Sequence, residues 1–152
     1  ANVEEEGQIF KKPRILVLPL VNISNLAEQE YFVDGITTDI ITYLSKHRWL
    51  EVIARNTSFG FKNRHVDISE LAKSLQIEYV LEGVVQRAGE SLRISVQLID
   101  ASNGIQKWSE RYDRDITDIF MLQDEITECI VARLEPEIGL AEREKVAFLN
   151  GV

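Results

Sequence analysis

Tyr79 to Tyr112 reads YVLEGVVQRAGESLRISVQLIDASNGIQKWSERY, and this stretch decides the fold. Leu92, Ile94, Val96 and Leu98 alternate with Arg93, Ser95 and Gln97. That period of two describes a strand with one face in a core and the other in water. Gly89-Glu90, glycine first, suits a two-residue hairpin turn. The turn sets Val85 against Ile94 and Leu81 against Leu98, whereas a slip of one residue would bury Arg93 and Gln97. Ser102-Asn103-Gly104 suits a three-residue loop with glycine in the left-handed position. It places Trp108 opposite Leu98 and Tyr112 opposite Ile94. Three antiparallel strands follow. Glu110 falls on the face of Trp108 and Tyr112, where an unpaired carboxylate is costly. It reads as a strand end meeting solvent in preference to a functional acid.

Upstream, Arg14 to Asn22 is a continuous apolar run, the pattern of a strand buried on both faces. Pro19 removes a ladder donor, so a bulge or the strand's end is expected beside it. Ser24 to Glu30 reads as a polar connection. From Tyr31 to Lys46, the residues Phe32, Ile36, Ile40, Ile41 and Leu44 recur at helical spacing. Gly35 costs roughly 1 kcal/mol against alanine, so this helix is expected to break or restart at Asp34-Gly35. Leu50 to Arg55 reads as a second strand and Asn56 to Arg64 as a polar and aromatic loop. Asp67 with Glu70 three residues on has capping-box spacing for a short helix whose inner face is Ile68, Leu71, Ala72 and Leu75. Downstream, Ile119, Leu122, Ile126, Ile130 and Leu134 mark a helix from Asp118 to Leu134. Pro136 is expected to kink or restart it.

These elements predict a single α/β domain with a mixed sheet of about five strands, in the order β-α-β-α-β-β-β-α. The last three strands form an antiparallel meander, and the helices lie chiefly on one face. The other face would be polar, carrying Glu82, Arg93, Ser95, Gln97, Lys107 and Arg111. Residues 1–12 read as a flexible arm, 13–140 as the domain, and 141–152 as a helical tail or the start of a linker. The chain opens at Ala1 without a methionine, and is expected to be a piece of a longer protein.

Charge narrows the partners. The chain has 152 residues, and 25 acids against 17 bases leave a net charge of −8. Nucleic-acid and membrane-surface modules carry a basic balance or a dense basic patch; the basic residues of Lys11 to Arg14 are too few. Neither nucleic acid nor membrane insertion is expected of this segment, and no apolar run approaches the ~20 residues that span a bilayer. The single cysteine, Cys129, forms no internal disulfide and builds no zinc site alone. A lone thiol suits the cytoplasm and is compatible with the periplasm.

The motifs of chemistry are missing. No glycine-rich loop follows a strand, and no serine sits in a nucleophile elbow. Cys129, between Ile126 and Ile130, reads as a small core residue. The acids Asp34, Asp39, Asp100, Asp113, Asp115, Asp118, Asp124 and Glu125 could be paired in many ways, and acid–base catalysis needs separations a sequence does not supply. Asp113 and Asp118 read as turn and cap residues. No catalytic residue, metal site or cofactor is assigned. One candidate ligand site stands, Arg55-Asn56-Thr57-Ser58 with Asp34, because ligands of open α/β sheets sit beyond strand ends and these donors could hold an anion. The reading in which these side chains satisfy loop backbone and cap the next element is preferred.

Long stretches also resemble a known family. Ile15 to Asn22, Glu30 to Asp39, Val52 to Ser58, Tyr79 to Gly83, Gln97 to Asp100, Trp108 to Asp113 and Asp118 to Glu125 resemble a TolB amino-terminal-like domain of bacterial signalling proteins. The resemblance spans Pro13 to about Leu140. It implies a module between an amino-terminal effector and tetratricopeptide repeats, the effector being a class III adenylate or guanylate cyclase or a winged-helix DNA-binding domain. The implied function is non-catalytic: regulation and protein interaction in cyclic-nucleotide signalling, with the parent's own cyclase or repeat domains as partners. A cyclase parent implies a homodimer. The alternatives are a small-molecule sensor with an anion pocket near Arg55, and the same module in a winged-helix transcriptional regulator.

Overall fold

The computed structural model describes residues 12–24 and 27–151; residues 1–11 of the expected arm lie outside them. In chain order the elements are β1 (Arg14–Val17), β2 (Val21–Asn22), α1 (Ala27–Leu44), β3 (Glu51–Val52), α2 (Arg55–Phe59), α3 (Ile68–Ser74), β4 (Tyr79–Ala88), β5 (Ser91–Asp100), β6 (Ile105–Asp115) and α4 (Ile119–Leu149). The sheet runs β3-β1-β4-β5-β6, with β2 on β4 beyond the end of β1. Pairings among β1, β2, β3 and β4 are parallel, and those of β5 are antiparallel. The result is one mixed α/β domain.

The meander has the expected register: Val85 faces Ile94, Leu81 faces Leu98, Trp108 faces Leu98 and Tyr112 faces Ile94. Gly89 turns with φ 61°, as a glycine-first hairpin requires. The second loop differs from expectation. It holds four residues, 101–104, because Asp100 pairs with Ile105; a bulge at Lys107 restores the phase before Trp108. Asp100 builds this turn, accepting from the amide of Ser102 at 2.9 Å and its hydroxyl at 2.6 Å.

The sheet has six strands where about five were expected, and the extra one is made by Pro19. The amide of Leu18 still donates to Leu81 O at 2.9 Å, but Pro19 has no hydrogen to give. Pairing resumes only at Val21. The second strand is likewise shorter than expected. Ile53 N donates to Ile15 O at 2.9 Å, after which α2 begins behind Ala54, so the start of the expected loop is a one-turn helix.

Both long helices override local propensity. α1 begins earlier than expected and passes Gly35 unbroken. Phe32, Val33, Ile36, Ile40 and Leu44 are buried along it. At about 1.5–3 kcal/mol for each such side chain, their burial outweighs the glycine's cost. The glycine also lets a neighbour in: a Cβ there would lie 2.5 Å from the Gln123 side chain of α4. α4 likewise runs through Pro136 as one helix. Pro136 and Ala132, whose carbonyl loses its donor, are both exposed, so solvent can reach the site of the missing bond.

α1 and α4 run side by side and parallel, with Gly35 level with Gln123 and His47 with Glu135. They cover one face of the sheet and enclose the main core, which includes Ile15, Leu81, Ile94, Leu98, Ile126 and Ile130. A smaller core lies on the other face, where Leu16, Leu18 and Val80 meet Leu71 of α3, Ile77, Phe61 and Val66. Beyond it that face is polar, as expected, with Arg93 and Arg111 both paired to Asp113.

Candidate functional site

Two local features make a concavity on the partly covered face. Pro19 takes itself and Leu20 out of the ladder, and the segment after α2 stands over the gap. Phe61 anchors that segment in the smaller core, and Asn63 reverses it with φ 60°, a left-handed conformation asparagine tolerates. Between them lies a cleft of about 460 Å³. Its floor is Leu18, Pro19, Val21, Gly83 and Val84, and its polar lining includes Glu30, Lys62, Arg64, His65, Glu82 and Gln97.

The charges in the lining differ in their commitments. Lys62 Nζ lies 2.9 Å from Glu30 Oε2 and 2.7 Å from Asp34 Oδ2, two acids one turn apart on α1. The hydrogen bond to Asp34 is the main cause that raises the lysine's pKa, and the bond from Lys62 lowers that of Glu30. On the opposite side Gln97 Nε2 donates to Glu82 Oε1 at 2.7 Å. The Arg64 guanidinium donates only to the carbonyl of Gly60, at 3.3 Å. Among the described residues it has no carboxylate partner, and His65 is exposed with no polar partner.

The five residues singled out from the sequence are not gathered in this cleft. Arg55 is exposed, its guanidinium 4.1 Å from the centre of the Phe59 ring and its Nε 3.0 Å from Thr38 Oγ1. Asn56 and Thr57 are exposed, and their carbonyls both accept from Gly60 N. Ser58 is fully buried and donates to the carbonyl of Val17, tying α2 to the sheet. Asp34 serves Lys62, while its other oxygen is buried without a partner. The cleft residues Lys62, Arg64 and His65 were missed because they lie in what reads as an irregular loop. The available signal was Phe61 followed by three basic or titratable residues in four.

Elsewhere the acids have structural duties. Asp39 accepts from Gln123 Nε2 at 2.8 Å, and Glu125 holds Arg114 at 2.8 Å. Asp118 caps α4 through the amides of Phe120 and Met121, as the sequence suggests. Asp113 is not a turn residue but a cross-strand partner of Arg93 at 2.9 Å, which lowers its pKa. Asp67 caps α3 by accepting from the amide of Glu70. Glu110, on the edge strand, is half-buried, and Cys129 packs against the main core. Among the described residues no helix is long and apolar enough to cross a membrane.

Comparison with known proteins places this geometry. A Rhizobium meliloti (strain 1021) protein named "Putative adenylate cyclase 3" is 49% identical over 142 residues. The match covers 93% of this chain and 24% of that protein, so the chain spans about a quarter of its relative's length. Among solved structures, lipoprotein GNA1162 from Neisseria meningitidis superposes with a TM-score of 0.56 at 19% identity, covering 77% of this chain and 95% of the other. TolB from Acinetobacter baumannii gives 0.51 at 16% identity, covering 82% of this chain and 28% of TolB. At such identities the likeness is one of fold, and the fold is TolB-like. The family profile described as "HilA/YgeH-like transcriptional regulator, second domain" matches residues 11–129, and this chain belongs to that family.

Proposed function

We propose that this chain is a non-catalytic regulatory and protein-interaction module of a longer adenylate cyclase-type protein. In that role it couples a sensing domain to the catalytic one. The observation that carries the reading is where the domain recurs. It matches a quarter of a relative named for nucleotide cyclisation and belongs to a family named for transcriptional regulation. What a shared module contributes to both is neither cyclisation nor DNA binding, but the connection between input and output. The net charge of −8 fits that view, since it disfavours a nucleic-acid surface. So does the use of Asp39, Asp100, Asp113, Asp118 and Glu125 in caps, turns and ion pairs. The cytoplasmic side belongs to the same proposal, because a cyclase partner would draw on ATP. Residues 13–140 are the proposed unit, to which the start of the tail also belongs, since Ala141 is buried in the main core and Glu142 accepts from the Tyr79 hydroxyl.

The test is an assay of the purified chain with ATP and with GTP. No cyclic nucleotide and no hydrolysis are expected. Turnover that disappears in Arg55→Ala would overturn the reading.

A further inference from the structure

The cleft beside Pro19 carries an inference beyond the regulatory role. Its floor is apolar and open: Val21 is 54% and Val84 36% exposed, which is unusual for β-branched residues on a sheet beside a core. One wall carries the Arg64 guanidinium, with no acid to neutralise it, beside the exposed His65 imidazole, in a chain where acids outnumber bases. Lys62 is not available in the same way, because Glu30 and Asp34 already hold it and so fix the wall in place. Across the floor, Gln97 holds Glu82 through Oε1, which aims the carboxylate and leaves Oε2 as an acceptor. The volume of about 460 Å³ falls within the range of small-molecule sites, roughly 300–1,000 Å³.

We infer that this cleft binds a small organic anion with an apolar body. The carboxylate or phosphate group lies against Arg64 and His65, the body rests on Pro19, Val21 and Val84, and a hydroxyl or amine faces Glu82. A guanidinium free of other acids binds such anions in a charge-assisted, two-pronged manner. The apolar floor discriminates against inorganic anions, which bury no carbon surface. The side chain that Gly83 lacks would point away from the cleft, into the main core under the floor. A Cβ there would meet Ser95 O at 2.4 Å and Leu20 Cδ2 at 2.9 Å, displacing the strands beneath the ligand.

The experiment is an amide-shift NMR titration of the 152-residue chain with phenyl phosphate, phenylacetate, inorganic phosphate and phenol. At least one of the first two is expected to saturate, moving the amides of Gly83, Val84 and His65 but not those of residues 55–58. Whichever binds more tightly identifies the anionic group. Arg64→Gln, at an exposed position, should weaken binding about five- to tenfold, the worth of one charge-assisted hydrogen bond. Arg55→Gln should leave it unchanged. The inference is overturned if neither aryl anion saturates, if inorganic phosphate or phenol binds as tightly, or if Arg64→Gln binds like the parent chain. Binding is read on the chain alone, so its failure would leave the regulatory role standing.

Discussion

The β4–β6 meander and the junction around Pro19 are held together in opposite ways. In the meander, two ten-residue strands and one of eleven are laddered end to end, and inner residues such as Leu81, Ile94 and Leu98 are fully buried. At the junction the ladder stops at Leu18 and resumes at Val21. Single side-chain bonds replace it, from the Leu20 amide to Thr37 Oγ1 and from Ser58 to the Val17 carbonyl. The regular ladder leaves an open groove of about 480 Å³ beside the Gly89 turn, lined by Gln86, Arg93 and Asp113; the interrupted one leaves a cleft between two different segments. Stability is therefore concentrated in the meander, while the junction supplies the cleft in which an apolar floor meets a guanidinium without a carboxylate partner.

Substitutions should separate the two regions. Leu98→Ala, in the meander's packed face, is expected to cost about 2–5 kcal/mol by urea denaturation. A cost under 1 kcal/mol would mean that the meander is not the stable centre. Gly83→Ala sits where the regions meet, and its Cβ would press on the Ser95 carbonyl. About 1–3 kcal/mol is expected, along with shifts in both β5 and the cleft. Ser58→Ala removes one buried bond at the junction and should cost about 1 kcal/mol. A loss as large as that of Leu98→Ala would erase the contrast.

Two smaller effects sharpen it. Burial pushes the Tyr112 pKa up to about 12, and its hydroxyl is buried without a partner. The folded state therefore favours the protonated phenol. That contribution is complete below the unfolded value near 10 and is lost as pH rises through about 12. Stability should fall over this window, and Tyr112→Phe should flatten the fall with little cost at neutral pH. The smallest effect is expected at Gly35→Ala. Helix propensity gains up to about 1 kcal/mol, and displacing the Gln123 side chain from Asp39 offsets most of it.

The meander was legible in the sequence because a strand exposed on one side writes its register as alternation. Each inner residue from Leu92 to Leu98 constrains its partners. The loop of residues 101–104 was misjudged by one because the bulge at Lys107 compensates for it without disturbing the phase of Trp108. The helices were read too short for a different reason. Gly35 and Pro136 are local penalties, and what overrides them is nonlocal: a parallel helix beside the first, and an exposed surface at the second. The ligand site was the least legible part. Arg55–Ser58 follow a strand, as anion sites often do, but two of them are engaged by Phe59, Thr38 and Val17. The cleft depends on Phe61 and Asn63 folding the next segment over a break in another strand. No periodicity records such a juxtaposition.

The most direct test of the central claim uses the rhizobial relative, of which the matching 142 residues form about a quarter. Its conversion of ATP to cyclic AMP would be measured with the module intact, and with an aspartate placed at the position matching Leu98 to unfold the module in place. A regulatory module predicts that the catalytic domain still turns over, with a rate or effector response changed several-fold. An unchanged rate and response, with the module shown to be unfolded by hydrogen exchange, would contradict the account.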